Sequence, residues 1–263
     1  MSVPDAQIHP HATGPAALTA AKHQDPRDII FWTGWVPLCL SHFCPASQRV
    51  WIALEEKGIP YQYKEVNPYK KEDAFLRINP KGLTPTVQYR GKQLVESLIL
   101  LEFLEDAYPT YTPHLLPADP FERAQVRLAL DHLSKQVLPA FFKTVQAQDK
   151  DKQKEELQEY YVALRKLVKE VKGPYFLGEE FSLVDVAMAP WVVRDYIIET
   201  HRGYKREEVG SGWKEYAEAL EKRDSVVRTC SDKEHYEPIY GRYLRDESQS
   251  ETAKATRAGR AVI

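Results

Sequence analysis

Two textures divide this chain. From about Phe31 to Pro109, short strand-like runs alternate with short helical stripes, and beyond His114 the strand signal nearly vanishes. In the first stretch, residues 36–40 read as a strand. Ala46, Val50, Ala53 and Leu54 fall at i, i+4, i+7 and i+8, one face of a helix that Gly58 is placed to stop. Residues 61–66 read as a second strand and 73–78 as a short helix. Residues 84–89 and 93–95 flank Arg90-Gly91-Lys92, a hairpin turn. A helix over 97–107 follows, with Ser97 as N-cap and Pro109 beyond its end. The order β-α-β-α-β-β-α, with crossovers of the β-α-β kind, predicts an α/β layer.

The second stretch predicts an all-α domain. Asp119-Pro120 pairs an N-cap with a proline at the first helical position. Val126, Leu130, Leu133 and Val137 form one helical stripe, and Leu157, Tyr161, Leu164, Val168 and Val171 form another. Ser182 and Asp185 are spaced to cap a further helix reciprocally, with Phe181 and Val186 placed as a hydrophobic staple. Helices are also expected around 213–222 and 235–244. The resulting division is a flexible arm over 1–28, an α/β domain over 29–110, a helical domain over 114–246 and a loose tail over 247–263.

Composition narrows the functional classes. Net charge is −2 over 263 residues, so no broad basic surface for nucleic acid is expected. No apolar run reaches the roughly 18–20 residues that span a bilayer, and none is expected to meet a membrane. Cys39, Cys44 and Cys230 are too few and too scattered for a disulfide framework, which fits a reducing, cytoplasmic setting. The histidines show no metal-ligand spacing, and no metal is expected.

The chemistry concentrates at Cys44-Pro45-Ala46-Ser47, where an apolar run passes into a helix. A thiol at a helix N-terminus meets free backbone N–H groups and the positive end of the dipole, both of which favour the reactive thiolate. The fourth position is Ser47, so no disulfide closes within the turn, and a partner thiol must come from elsewhere. Cys39 reads as core, Cys230 as incidental and Ser47 as a first-turn cap. Downstream, Asn79-Pro80-Lys81-Gly82-Leu83-Thr84-Pro85 forms a loop entering a strand. A cis bond at Thr84–Pro85 would turn the Thr84 N–H and C=O outward, toward a peptide-like ligand. Glu96-Ser97, at a helix start, can hold an amine and a carboxylate.

Cys44-Pro45-Ala46-Ser47, the Gly82-Leu83-Thr84-Pro85 loop, Glu96-Ser97 and the Ser182–Asp185 box together resemble the glutathione transferases, and the cysteine makes the chain most similar to the omega class. The resemblance spans roughly residues 36–244. It implies a thioredoxin-like N-terminal domain followed by an α-helical domain, glutathione as co-substrate on the first, a less polar second-substrate site between the two, a cis Pro85 and a homodimer. Carried over by position, it implies Cys44 as catalytic thiol, Thr84 with its neighbours Leu83 and Pro85 on the cysteinyl backbone of glutathione, and Glu96 and Ser97 on its γ-glutamyl group. It also implies Lys71 on the glycyl carboxylate, and Arg194 and Tyr236 at the second-substrate site. The chain departs from the omega pattern at Ala46-Ser47, where Phe-Ala is usual, and at Thr84, where Val is usual.

The leading expectation is a glutathione-dependent thiol transferase or reductase, with a small apolar or disulfide-containing second substrate. Conjugation of glutathione to electrophiles is a rival, for which Ser47 or Ser41 would be the hydroxyl donor. A non-catalytic binding module on the same fold is another. For the Ser182–Asp185 pair, capping is a sufficient explanation.

Overall fold

The computed structural model describes residues 9, 11–34, 44–66 and 73–260. The expected strand over 36–40, with Cys39 and Ser41, and the expected ligand Lys71 lie outside the described residues. The chain divides into two compact units. One joins Met1–His114 with Asp224–Ile239, and the other joins Leu115–Arg223 with Tyr240–Ile263.

In the first unit a four-stranded sheet runs in the order β2-β1-β3-β4. It is built from β1 (Ile29–Gly34), β2 (Gln62–Val66), β3 (Thr86–Tyr89) and β4 (Lys92–Val95). β1 pairs parallel with β2 and antiparallel with β3, and β3 pairs antiparallel with β4 across Arg90-Gly91. This is the expected thioredoxin-like layer, with its first strand at 29–34. That run, Ile-Ile-Phe-Trp-Thr-Gly, is buried over nearly its whole length and therefore lacks the alternation of a half-exposed strand.

Helix α2 (Pro45–Lys57) follows Cys44 and ends at Gly58, in the left-handed conformation at φ 63°. It packs against α4 (Ser97–Ala107). The apolar stripe read for α2 is too narrow: Ser47, Gln48, Arg49, Trp51 and Ile52 are buried along with Val50, Ala53 and Leu54. A helix covered on more than one side buries polar residues that a single-face pattern assigns to solvent. Helix α3 (Asp73–Ile78) brings Phe75 onto Trp32 and Val66.

Within the segment 1–28, expected as an arm, residues 14–22 form a nine-residue helix, α1 (Gly14–Lys22). It packs against the short helix α12 (Asp224–Arg228), which in turn packs against α2. Residues 224–239 thus belong with the first unit rather than with a continuous helical domain. Hydrogen bonds fix α1 to the chain after α12. Ala16 N donates to Cys230 O at 3.1 Å, Thr19 Oγ1 to Arg228 O at 2.8 Å and Asp232 N to Thr13 Oγ1 at 3.0 Å.

The second unit is helical. Helix α5 (Pro120–His132) starts at Asp119, whose carboxylate accepts from Phe121 N and Glu122 N. A single π turn, Leu133–Val137, carries it into α6 (Leu138–Gln146). Helix α6 lies against α7 (Lys150–Val168). The capping box at α8 (Leu183–Val192) forms as read. Asp185 accepts from Ser182 N at 2.7 Å, Ser182 Oγ at 2.6 Å and Phe176 N at 2.9 Å. The remaining helices are α9 (Asp195–Arg202), α10 (Arg206–Val209), α11 (Ser211–Lys222), α13 (Glu237–Leu244) and α14 (Glu251–Arg257). The expected loose tail therefore contains α14, capped by Ser250 and tied to α6, with Gln146 Nε2 donating to Ala253 O. No helix of the described residues is long and apolar enough to cross a membrane.

Candidate functional site

Cys44 is the N-cap of α2 and is 5 % exposed. Pro45 occupies the first helical position, where its missing N–H costs nothing. The Cys44 side chain makes no capping hydrogen bond to this turn, and the positive end of the helix lies at Cys44. The Ser47 hydroxyl, read as a cap, is buried and makes no hydrogen bond among the described residues.

Arg49, on the same helix, is missing from the sequence reading, and it is the buried charge of this site. Its side chain is 4 % exposed, and Nη1 donates to Ser97 Oγ at 3.2 Å. Burial pulls the guanidinium down to about 9, while the negative charge of the Cys44 thiolate pulls it back up. The attraction is mutual, so the same cation favours the thiolate. The available signal was an arginine two positions after Ser47, directly before the apolar run Val50-Trp51-Ile52-Ala53-Leu54.

The loop before β3 is held together by its own hydrogen bonds. Gly82, at φ 62°, donates its N–H to Asn79 O, and Leu83 O accepts from Asn79 Nδ2 at 2.9 Å and Thr86 Oγ1 at 2.7 Å. Thr84–Pro85 is cis, as the resemblance implied. Among the described residues the main-chain N–H and C=O of Thr84 take no hydrogen bond, which leaves both for an external partner.

Glu96 is the N-cap of α4 at φ 71°, a conformation that a glutamate adopts only under constraint. Its carboxylate is exposed, and the next residue, Ser97, is buried at the first position of the helix. Cys44, Leu83, Thr84, Pro85, Glu96 and Ser97 thus all fall in the first unit, and Arg49 links the Cys44 helix to Ser97.

Arg194 and Tyr236 fall in different units. Arg194 is fully buried in the second, where Nη1 donates to Pro190 O. Tyr236 is 3 % exposed in the first, and its hydroxyl accepts from Ser231 N at 3.2 Å. Two cavities of the first unit, of about 500 and 330 Å³, have other linings. One includes His11, Trp32 and Glu65, and the other His23, Glu55 and Arg228.

Comparison with known proteins places this geometry among relatives. Residues 43–107 match the family model for the glutathione S-transferase N-terminal domain, and residues 126–210 match that for the C-terminal domain. Glutathione S-transferase omega-1 of Sus scrofa is 33 % identical over 165 residues, 61 % of this chain and 67 % of that protein. The crystal structure of glutathione transferase Omega 3C from Trametes versicolor is 61 % identical, covers 91 % of this chain and 100 % of its own, and superposes with a TM-score of 0.85. A rice glutathione transferase, GST1, solved in complex with glutathione, is 28 % identical, covers 81 % of this chain and 94 % of its own, and has a TM-score of 0.72.

Proposed function

Because this chain belongs to the glutathione transferase family and is omega-like within it, we propose that it is a glutathione-dependent thiol transferase working through Cys44. The observation that carries the reading is Cys44 at the start of α2, with the Arg49 charge interacting with it and Ser47 where a second cysteine would close a disulfide.

Glutathione fits the groups around Cys44. The unbonded Thr84 N–H and C=O pair with the cysteinyl backbone in strand fashion. Glu96 takes the γ-glutamyl ammonium. The Ser97 hydroxyl, steadied by Arg49, and the N-terminus of α4 take its carboxylate. Lys71 is assigned to the glycyl carboxylate from the family pattern, and Arg194 and Tyr236 to the second substrate.

The reaction runs in two exchanges. The Cys44 thiolate attacks the glutathionyl sulfur of a mixed-disulfide substrate. The new Cys44–glutathione bond forms as the old S–S bond breaks, and the substrate thiolate leaves and takes a proton from water. A second glutathione, as thiolate, then attacks the glutathionyl sulfur on Cys44, releasing glutathione disulfide and restoring the Cys44 thiolate. Dehydroascorbate and glutathionyl ketones are further substrates compatible with a nucleophilic thiol. The Arg49 charge and the dipole of α2 favour the thiolate before substrate arrives, so the protein does not reorganise at the moment of attack.

Incubation with glutathione disulfide tests this reading. Intact-mass analysis with peptide mapping should find glutathione on Cys44 and none on a Cys44→Ser chain. Absence of any adduct on Cys44 would remove the proposal.

A further inference from the structure

The cavity of about 500 Å³ in the first unit has its own lining. Cys44, Thr84, Glu96 and Ser97 are not among the described residues around it. Helix α1 contributes Ala17 and Ala20 to its wall, β1 contributes Trp32, β2 contributes Lys64, and α3 contributes Ala74. The alanines leave an apolar wall with space beside it.

Trp32 marks this space as a site. It is 5 % exposed, its ring packs on Phe75 with centroids 5.4 Å apart, and its indole Nε1 is buried with no hydrogen-bond partner. A buried N–H without an acceptor is a cost to the fold. The same ring carries the Lys64 ammonium 4.8 Å from its centroid. Among the described residues Lys64 makes no ion pair. Its charge sits on a flexible four-carbon stem, which can swing from the ring to an incoming anion and uncover the indole.

Glu65, the acid of the same wall, is already engaged. Its carboxylate accepts from Ala12 N and from the Tyr63 hydroxyl, each at 3.1 Å, and lies 2.7 Å from His11 Nδ1. These partners offset its charge, and Lys64 remains the cation that the cavity offers. An indole N–H and an ammonium beside an apolar wall call for a negatively charged acceptor on an apolar body. Trp32 and Tyr63 both line the space, and their flat faces suit a ring.

We propose that this cavity binds an aromatic carboxylate. The acid group takes the Trp32 Nε1 hydrogen and the Lys64 ammonium, and the ring lies against the alanines of α1. The site is separate from the groups assigned to glutathione and is completed by the helix that precedes β1.

Titration of the full-length protein with 2-naphthoate, by calorimetry and by NMR, tests this. The wild type should bind in the millimolar range or tighter. The indole N–H signal that Trp32→Phe removes should shift in the wild type as 2-naphthoate is added. Lys64→Met should weaken binding by at least about tenfold, and Trp32→Phe, which keeps a ring and removes the N–H, by at least about threefold. Lys64→Met keeps an unbranched stem over the ring and should take up glutathione as the wild type does. Saturating glutathione should leave the 2-naphthoate affinity unchanged. No binding at millimolar 2-naphthoate, equal affinity for uncharged 2-methylnaphthalene, unchanged affinity in Lys64→Met, or displacement by glutathione would each overturn the proposal and leave the role of Cys44 standing.

Discussion

Arg49 Nη1 donates to Ser97 Oγ at 3.2 Å, so the helix that begins at Cys44 is pinned to the helix that begins with Ser97. One buried cation thereby serves two ends of the proposed glutathione site, favouring the Cys44 thiolate and orienting the hydroxyl assigned to the γ-glutamyl carboxylate.

Replacing Arg49 with methionine should act on both ends at once. The pH profile of Cys44 alkylation by iodoacetamide should move upward, because the nearby positive charge that favours thiolate is gone. Glutathione affinity should weaken in the same variant, and Arg49→Lys should recover most of the alkylation shift but less of the affinity, since an ammonium lacks the planar fork. An unchanged alkylation profile in Arg49→Met would remove Arg49 from the account.

Glu96 stands at φ 71° in an exposed position, so its conformation is a cost to the fold. Glu96→Gly should relieve that cost and raise stability by about 1 kcal/mol in denaturant unfolding. The same change should weaken glutathione binding by roughly 10- to 100-fold, because a charge-assisted hydrogen bond is lost. Titration calorimetry reads the second effect, and the two together separate ligand contact from scaffold.

Much of the first unit could be read in advance because its signals are local. The 90–91 turn, the stop at Gly58 and the bounds of α3 and α4 follow from residues adjacent in sequence. What escaped depends on distant partners. β1 is an apolar run without alternation, and its strand character comes from β2 and β3 on either side. Helix α1, Gly-Pro-Ala-Ala-Leu-Thr-Ala-Ala-Lys, shows little apolar patterning, and its order comes from hydrogen bonds to residues 228–232, more than two hundred positions away. The burial of Gln48 and the role of Arg49 were hidden for the same reason, since a polar residue on a helix is read as solvated until the elements that cover it are known. Cys44, Thr84, Glu96 and Ser97 were visible because each sits at a turn or helix start, where sequence and local geometry are most tightly linked.

Gly14 has φ 53°, and a Cβ there would lie 2.3 Å from Asp232 Oδ1. Gly14→Ala should therefore loosen α1 from the segment after α12, at a cost of about 2 kcal/mol. Limited proteolysis should cut this variant between α1 and β1 at protease levels that leave the wild type intact. Asp232→Ala in the same chain should recover part of the protection, because it removes the clash while leaving the left-handed strain.

Asp185 accepts three hydrogen bonds at the start of α8, yet burial outweighs them and pushes its carboxyl up to about 6. The folded state therefore binds this proton more tightly than the unfolded chain does. The contribution to stability is full below roughly pH 4 and is lost as pH rises through 6. The stability difference between wild type and Asp185→Asn should be larger at pH 5 than at pH 8 in thermal unfolding. Asp185→Ala should cost about 3 kcal/mol by stranding Phe176 N and Ser182 N in the interior. Glutathione uptake per folded molecule should be unaltered, in keeping with a capping role.

The central claim is that a sulfur nucleophile at position 44 performs the chemistry. The most direct measurement is steady-state reduction of a glutathione mixed disulfide, followed by coupled turnover of the glutathione disulfide released, in the wild type and in Cys44→Ser, with conjugation to an aryl halide measured in parallel. The account predicts turnover in the wild type and loss of at least about a hundredfold in Cys44→Ser, because a hydroxyl at neutral pH cannot replace the thiolate. Undiminished disulfide reduction in Cys44→Ser would contradict it.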